Sequence, residues 1–337
     1  MRRVFVFSMV IALLASGVTA TPQRKKPPKR PTKPVAVKTA TEKPSPFFDA
    51  ERLAKLSARM KSFVDQGRAA GIVTLLAHRG KPVQALAFGV QDLESKKPMA
   101  QDTIFQIASM TKPITCVGVM MLAEDGLLAI TDPVEKFLPG FAKLQIREKG
   151  DGDIEEIRKP ARKITIRDLM THTSGMSGGY PEGFAELFSK RDRTLAEAVE
   201  AFPTRYLDFE PGAKWGYSNM GIATLGRIIE MVSGKSYEQF LEERLFKPLG
   251  MHDSHFFVPE SKRDRIATIY RLDNDKLVKA DVDLFRAEAK YPAPEAGLYS
   301  TAPDLFRFYQ MMLNGGALAS ALDWAGQSFA TRKERFG

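Results

Sequence analysis

The apolar positions of the chain fall into a short series of helical and strand patterns that begins near residue 49. In "FDAERLAKLSARMKSFVDQG", Leu53, Leu56, Met60 and Phe63 recur at helical spacing, with Asp49 at the start and Gly67 at the end. "GIVTLLAHRGKPVQALAFGVQD" follows as two apolar runs around a tight His78-Arg79-Gly80-Lys81 connection, the pattern of a β-hairpin. In "QIASMTKPITCVGVMML" the positions Ile114, Val117, Met120, Met121 and Leu122 predict a mostly buried helix that Gly126 stops. Pro113 fixes its start close to Ser109, because proline fits a first helical turn and clashes deeper inside.

Further on the pattern predicts mainly helices. "TDPVEKFLP" reads as a short one opened by Asp132 and Pro133, and "KLQIREKGDGDIEEIRK" as an exposed hairpin. Thr165 and Asp168 stand at capping-box spacing in "TIRDLMTHTSG", a helix expected to stop at Gly175. After an irregular, Gly-rich 175–183, helices are expected over about 194–202, after the loop "PGAKWGYSN", and in "SYEQFLEERLFKPLG", the last ending at Pro248. A final one spans "YSTAPDLFRFYQMMLNGG", with Leu305, Phe308 and Met312 on one face; methionines 120, 121, 311 and 312 are read as core. Strands followed by many helices predict an α+β fold.

Charge changes the picture only at the N-terminus. The net charge of +10 looks like a nucleic-acid signal until it is located: residues 1–46 hold ten Lys/Arg against one acid, leaving 40 basic and 39 acidic residues in 47–337. No basic face, and no nucleic-acid partner, is implied for the folded part. "MRRVFVFSMVIALLASGVTA" has two arginines, an apolar run and small residues ending at Ala20, the layout of a signal peptide. Residues 21–46, rich in Pro and Lys, predict a disordered linker, read first as a soluble spacer, with weak contact between its charge and anionic envelope surfaces as the alternative. A single cysteine, Cys116, allows no internal disulfide, and export to a periplasm or exterior is expected.

Ser109 and Lys112 sit i,i+3 on the first turn of a buried helix, so their side chains share a face. The helix start supplies free N–H groups for an oxyanion, and a neutral, buried Lys112 would accept the hydroxyl proton. A bare S-x-x-K is more often a serine cap beside a solvated lysine, but Ser109 is the only serine in the chain with a lysine at +3. Tyr217-Ser218-Asn219 is the only Tyr-x-Asn. A phenol beside a lysine cation ionises more readily, which would let Tyr217 act as base and relay, with Asn219 donating to a substrate carbonyl or touching Lys112. The plain alternative is a turn with an aromatic prop.

"FQIASMTKPIT", "ITIRDLMTHTSGM", "FEPGAKWGYSNMGIATLGRIIEMVSGKSYEQFLEERLFKPLGMHDSHF" and "AGLYSTAPDLFRFYQMMLNGG" together resemble the serine β-lactamase and penicillin-binding-protein superfamily, in its class C-like, esterase-like branch. The resemblance implies Ser109 as acylated nucleophile, Lys112 as proton acceptor, Tyr217 as catalytic tyrosine and Asn219 as substrate-orienting amide. It implies a β-lactamase/transpeptidase-like fold over 47–316: an antiparallel sheet flanked by helices, plus an all-helical lobe, with the site between them. No metal and no cofactor is expected; substrates would be β-lactams, D-Ala-D-Ala-like peptides or other peptidoglycan-like material, or small esters.

The resemblance also implies a third motif, Lys or His then x-Gly, on a late strand. After Asn219 the sequence has none, and His78-Arg79-Gly80 lies in the first hairpin instead. Residues 317–337 do not read as the expected strands, so the expectation is of a chain cut short or changed in frame there, with its C-terminal strands missing. The competing expectation is therefore a catalytically impaired relative that binds cell-wall material or a partner; a sheet completed by another chain would make a dimer. Gly175-Met176-Ser177-Gly178-Gly179 matches the G-x-S-x-G nucleophile elbow but lacks its strand and helix. His252 and His255 lack a third ligand group, His78 and His172 read as turn and loop residues, and Cys116 as a packed small side chain.

Overall fold

The first helix, α1 (Ala50–Asp65), starts where Asp49 Oδ1 accepts the Glu51 amide at 2.8 Å, as its capping position predicts. It packs on an antiparallel hairpin, β1 (Gly71–His78) and β2 (Lys81–Gly89). The turn between these strands places Arg79 and Gly80 at φ 49° and 78°, the paired left-handed conformations that suit a two-residue connection. Of the whole chain, the computed structural model describes residues 49–149, 155–176, 178–280 and 289–317. The predicted signal peptide, the basic linker, Ser177 of the G-x-S-x-G match and the tail from residue 318 lie outside the described residues.

A short strand, β3 (Phe105–Gln106), leads into a 3-10 turn at Ala108–Met110 and then α2 (Thr111–Glu124). The helix begins beside Ser109, as Pro113 requires. Its burial differs in part from the apolar reading: Ile114, Val119, Met121 and Leu122 are buried, whereas Met120 is 42% exposed. At the far end Met311 is buried and Met312 is 46% exposed. Met120 and Met312 face each other across an apolar groove between two helices instead of filling the core. Residues adjacent in sequence on a helix point about 100° apart, and where the helix is covered on one side only, the second methionine of the pair turns toward the surface.

Then come 3-10 turns at Val134–Lys136 and Pro139–Lys143, where a short helix was expected, and the hairpin β4 (Ile146–Lys149) with β5 (Glu155–Arg158). In α3 (Ile166–Met170) the capping box is present in both directions, and the helix ends five residues before Gly175. His172, at φ 58°, turns the chain away. The next helices are α4 (Leu187–Lys190), α5 (Leu195–Ala201), α6 (Asn219–Ser233) and α7 (Tyr237–Leu241). A π-turn at Glu242–Phe246 carries α7 into α8 (Lys247–Leu249), so this segment runs through Pro248 and stops at Gly250. The wider turn removes the bond that proline cannot donate.

After α9 (Glu260–Arg263), the strands β6 (Tyr270–Asp273) and β7 (Lys276–Lys279) pair with each other, and β8 (Tyr299–Ser300) pairs antiparallel with β3. The last described element, α10 (Ala302–Leu313), packs on β1. Among the described residues the strands thus form four two-stranded antiparallel pairs. The helical part is organised on α6, which packs against α2, α3, α5 and α7 and buries nine residues, Met220 to Ile229. One cluster of buried residues runs from Ile107 through these helices to Met311.

Candidate active site

The 3-10 turn at Ala108–Met110, α2 and the loop before α6 meet at Ser109. The nucleophile candidate stands exposed in the 3-10 turn ahead of α2, and the residue before it, Ala108, has φ 46°. A non-glycine residue is strained there by about 1 kcal/mol or more, so the surrounding structure must hold it. It does so through the Thr111 hydroxyl, which donates to the Ala108 carbonyl at 2.7 Å. Lys112, one turn along, is only 6% exposed, and its Nζ donates to Ser109 Oγ at 3.0 Å. Tyr217 arrives from the loop before α6, and its phenol donates to the same Ser109 Oγ at 2.8 Å. Lys112 Nζ lies 4.7 Å from the centre of the Tyr217 ring.

The sequence-derived trio therefore comes together across 108 residues of chain. Asn219 lies close by, half-buried in the first turn of α6, but among the described residues its amide makes no hydrogen bond to this cluster. Burial pushes the Tyr217 phenol up, yet the Lys112 ammonium and the Ser109 hydroxyl outweigh it, and the net shift is downward. Tyr217 is thus biased toward giving up its proton next to the hydroxyl it contacts.

Two groups that sequence reasoning set aside or missed complete the site. His172, read as a loop residue, stacks on Tyr217 with ring centres 4.8 Å apart, and its Nδ1 accepts the Ser218 amide at 3.2 Å. Burial and the Lys112 charge both lower its pKa, and Nδ1, acting as an acceptor, leaves the ring proton to Nε2. The second is the segment 291–298, which the helix pattern had left blank. Lys112 Nζ donates to the Glu295 carbonyl at 2.7 Å, the Thr115 hydroxyl to the Pro294 carbonyl at 2.7 Å, and the Leu298 amide to the Thr111 hydroxyl at 3.2 Å. The polar face of α2 thus binds main chain some 180 residues away, and this explains why Thr111, Lys112 and Thr115 are buried in an otherwise apolar helix. No spacing within the chain announces such a contact.

The remaining candidates fall elsewhere. His78 is at the tip of the first hairpin, and His255 pairs its backbone with Tyr299 while its ring lies 3.2 Å from Lys262 Nζ. Cys116 is half-buried on α2, where burial pushes its thiol up to about 11. Such a thiol is a poor nucleophile at neutral pH.

A helical cluster beside an antiparallel pair carrying α1 and α10, with a serine–lysine turn between them, is the β-lactamase/transpeptidase-like arrangement. The chain belongs to the Beta-lactamase family, which it matches over residues 56–336. It is 30% identical to Esterase EstB of Burkholderia gladioli, covering 84% of this chain and 79% of that protein. It is 29% identical to Penicillin-binding protein 4* of Bacillus subtilis, covering 73% of this chain and 53% of that one. Among solved structures, EstCE1, described as a hydrolase with promiscuous acyltransferase activity, superposes with a TM-score of 0.67 at 26% identity, over 78% of this chain and 72% of that one. The chain spans about half the length of the penicillin-binding protein and most of the esterase.

Proposed function

We propose that the protein is an exported serine hydrolase that forms an acyl-enzyme on Ser109. The observation that carries this reading is the convergence of the Lys112 amine and the Tyr217 phenol on one exposed hydroxyl, at 3.0 and 2.8 Å. Ser109 Oγ bonds to the acyl carbon as its proton passes to a single base, Tyr217 as phenolate or Lys112 as neutral amine. The oxyanion is held by amide groups at the helix start, and Tyr217 returns the proton to the departing oxygen or nitrogen as its bond to the acyl carbon breaks. Water then releases the acid from Ser109. Asn219, two residues beyond the phenol, orients the substrate carbonyl.

The substrate class is an acyl donor: a small ester, a β-lactam or a D-Ala-D-Ala-like peptide. An ester is favoured, because the esterase relative is matched over most of its length and because Met110, Trp215 and Tyr217 expose apolar surface around the hydroxyl. The test is intact mass after exposure to a nitrophenyl ester and to a penicillin, with Ser109→Ala in parallel. An adduct of the acyl mass that is absent from Ser109→Ala is expected. A folded protein that gains no mass from either reagent would overturn the reading.

A further inference from the structure

Behind Lys112 lies a carboxyl group that the proposed chemistry does not use. Glu295 is 1% exposed. Its carbonyl holds Lys112 Nζ, and its carboxyl receives the Tyr180 phenol at 2.8 Å on Oε1 and the Tyr291 phenol at 3.1 Å on each oxygen. The backbone around it is tightly constrained. Ala293 has φ 53°, and a Cβ at Gly297 would stand 1.9 Å from the Pro292 carbonyl oxygen, so no larger residue fits that turn. A chain that accepts such strain and buries an acid this completely requires a compensating interaction. The two phenol donors supply part of it. Lys112, itself buried, sits against the same residue through its Nζ on the Glu295 carbonyl.

We infer that Glu295 is a positioning residue whose carboxylate, clamped by Tyr180 and Tyr291, is the internal counter-charge of Lys112 and so sets the pH at which the Ser109–Lys112–Tyr217 cluster becomes active. This rests on the acyl-enzyme reading for its consequence, though not for its geometry. The charged and titratable groups facing Glu295 are Lys112 from α2, Tyr217 from the loop before α6, Tyr237 from α7, Tyr180 from the 178–183 loop and Tyr291 from its own segment. Burial drives the Glu295 carboxyl upward, the phenols and Lys112 oppose this only in part, and the net shift is upward, so its charge appears only as the pH rises through that raised value. Its charge in turn raises Tyr217. A negative charge here opposes loss of the proton from Tyr217. Because Tyr180 comes from a half-exposed loop at the edge of the site, the same clamp ties that loop to the base.

Glu295→Gln keeps the shape and one acceptor and removes the charge. Two quantities are measured in it and in the parent protein. The first is the Tyr217 titration, read as ultraviolet phenolate absorbance against Tyr217→Phe in each background, with no substrate present. The second is the acidic limb of the rate at which nitrophenyl acetate labels Ser109. Both midpoints are expected to fall by about one pH unit, the size of effect a nearby buried charge exerts. A purely structural role would lower the melting temperature and leave both midpoints in place. An unmoved Tyr217 titration overturns the counter-charge role whatever the labelling shows; if the parent protein still labels on Ser109, the acyl-enzyme reading survives. A lowered titration in a protein that never labels supports the counter-charge and removes the acyl-enzyme reading instead. Should Glu295→Gln fail to fold, Tyr180→Phe on the half-exposed loop replaces it. Losing one donor lets the carboxyl keep its proton to higher pH, so a smaller fall is expected, and unmoved midpoints there also overturn the inference.

Discussion

Gly226 lies in the middle of α6, far along the chain from Ser109, and yet it bears on the site. A Cβ added there would meet Pro294 Cγ at 2.3 Å and Pro294 Cβ at 2.8 Å. Carbon atoms settle at about 3.5–4.0 Å, so the proline must retreat by more than an ångström. It cannot do so freely, because the Pro294 carbonyl accepts Thr115 and the next carbonyl accepts Lys112. Gly226→Ala gains about 1 kcal/mol of helix propensity and loses about 1–3 kcal/mol to overpacking, with the rigid ring favouring the upper end. The net loss is about 1–2 kcal/mol, a fall in melting temperature of roughly 2–8 °C for a domain of this size. Thermal unfolding followed by circular dichroism measures it. Ser109 labelling, taken well below the melting point, should slow as well, because the Lys112 acceptor moves with the proline. A melting temperature raised by the full helix-propensity gain, with labelling unchanged, would show that 291–298 yields without cost and does not hold the lysine.

Two further substitutions test the neighbourhood of the site. Asp168 receives Arg162 through two bonds at 2.7 and 2.8 Å; burial alone would raise its carboxyl, but Arg162 and Thr165 overcome this and set it at about 2, against 3.8 ordinarily. A folded value below the unfolded one stabilises the protein above pH ~4 and is lost as pH falls toward 2, so Asp168→Asn should cost about 2 kcal/mol at pH 7 in urea unfolding, with the gap closing on acidification. A gap independent of pH would assign the cost to packing alone. His172→Asn tolerates the left-handed backbone at that position and removes both the ring stacked on Tyr217 and the Nδ1 acceptor of the Ser218 amide, so it should slow Ser109 labelling about three- to tenfold while lowering the melting temperature by only a few degrees. An unchanged rate would mean that the stack does not orient the phenol.

What the sequence made legible was the local part of this design. Ser109 and Lys112 were readable because three residues on a helix make neighbours, and Pro113 fixed where the helix had to start. Tyr217 and Asn219 were readable as a motif on a loop before a helix, and the Thr165–Asp168 cap from its spacing alone. His172 was passed over, since stacking on a residue 45 positions later leaves no periodic trace. Glu295 was invisible for the same reason, and "YPAPEAG" offers neither helix nor strand period. Thr111 and Thr115 carry no signal in the helix pattern, because their partners lie at 294–298. The methionines at 120 and 312 were misread because apolar character does not say which face a residue takes when its neighbour is apolar too.

The attachment of 291–298 to the polar face of α2 has a consequence for how the protein comes into being. The lysine's acceptor is made about 180 residues after the serine, so no early folding intermediate holds a finished site. Contacts of such long range form late, after their loop-closure cost has been met. A chain still emerging from a ribosome or threading a membrane would carry Ser109 as an ordinary hydroxyl. It would gain its reactivity only when the last third of the chain docks. On the acyl-enzyme reading, maturation is thus timed by topology, the nucleophile staying silent until the fold has closed.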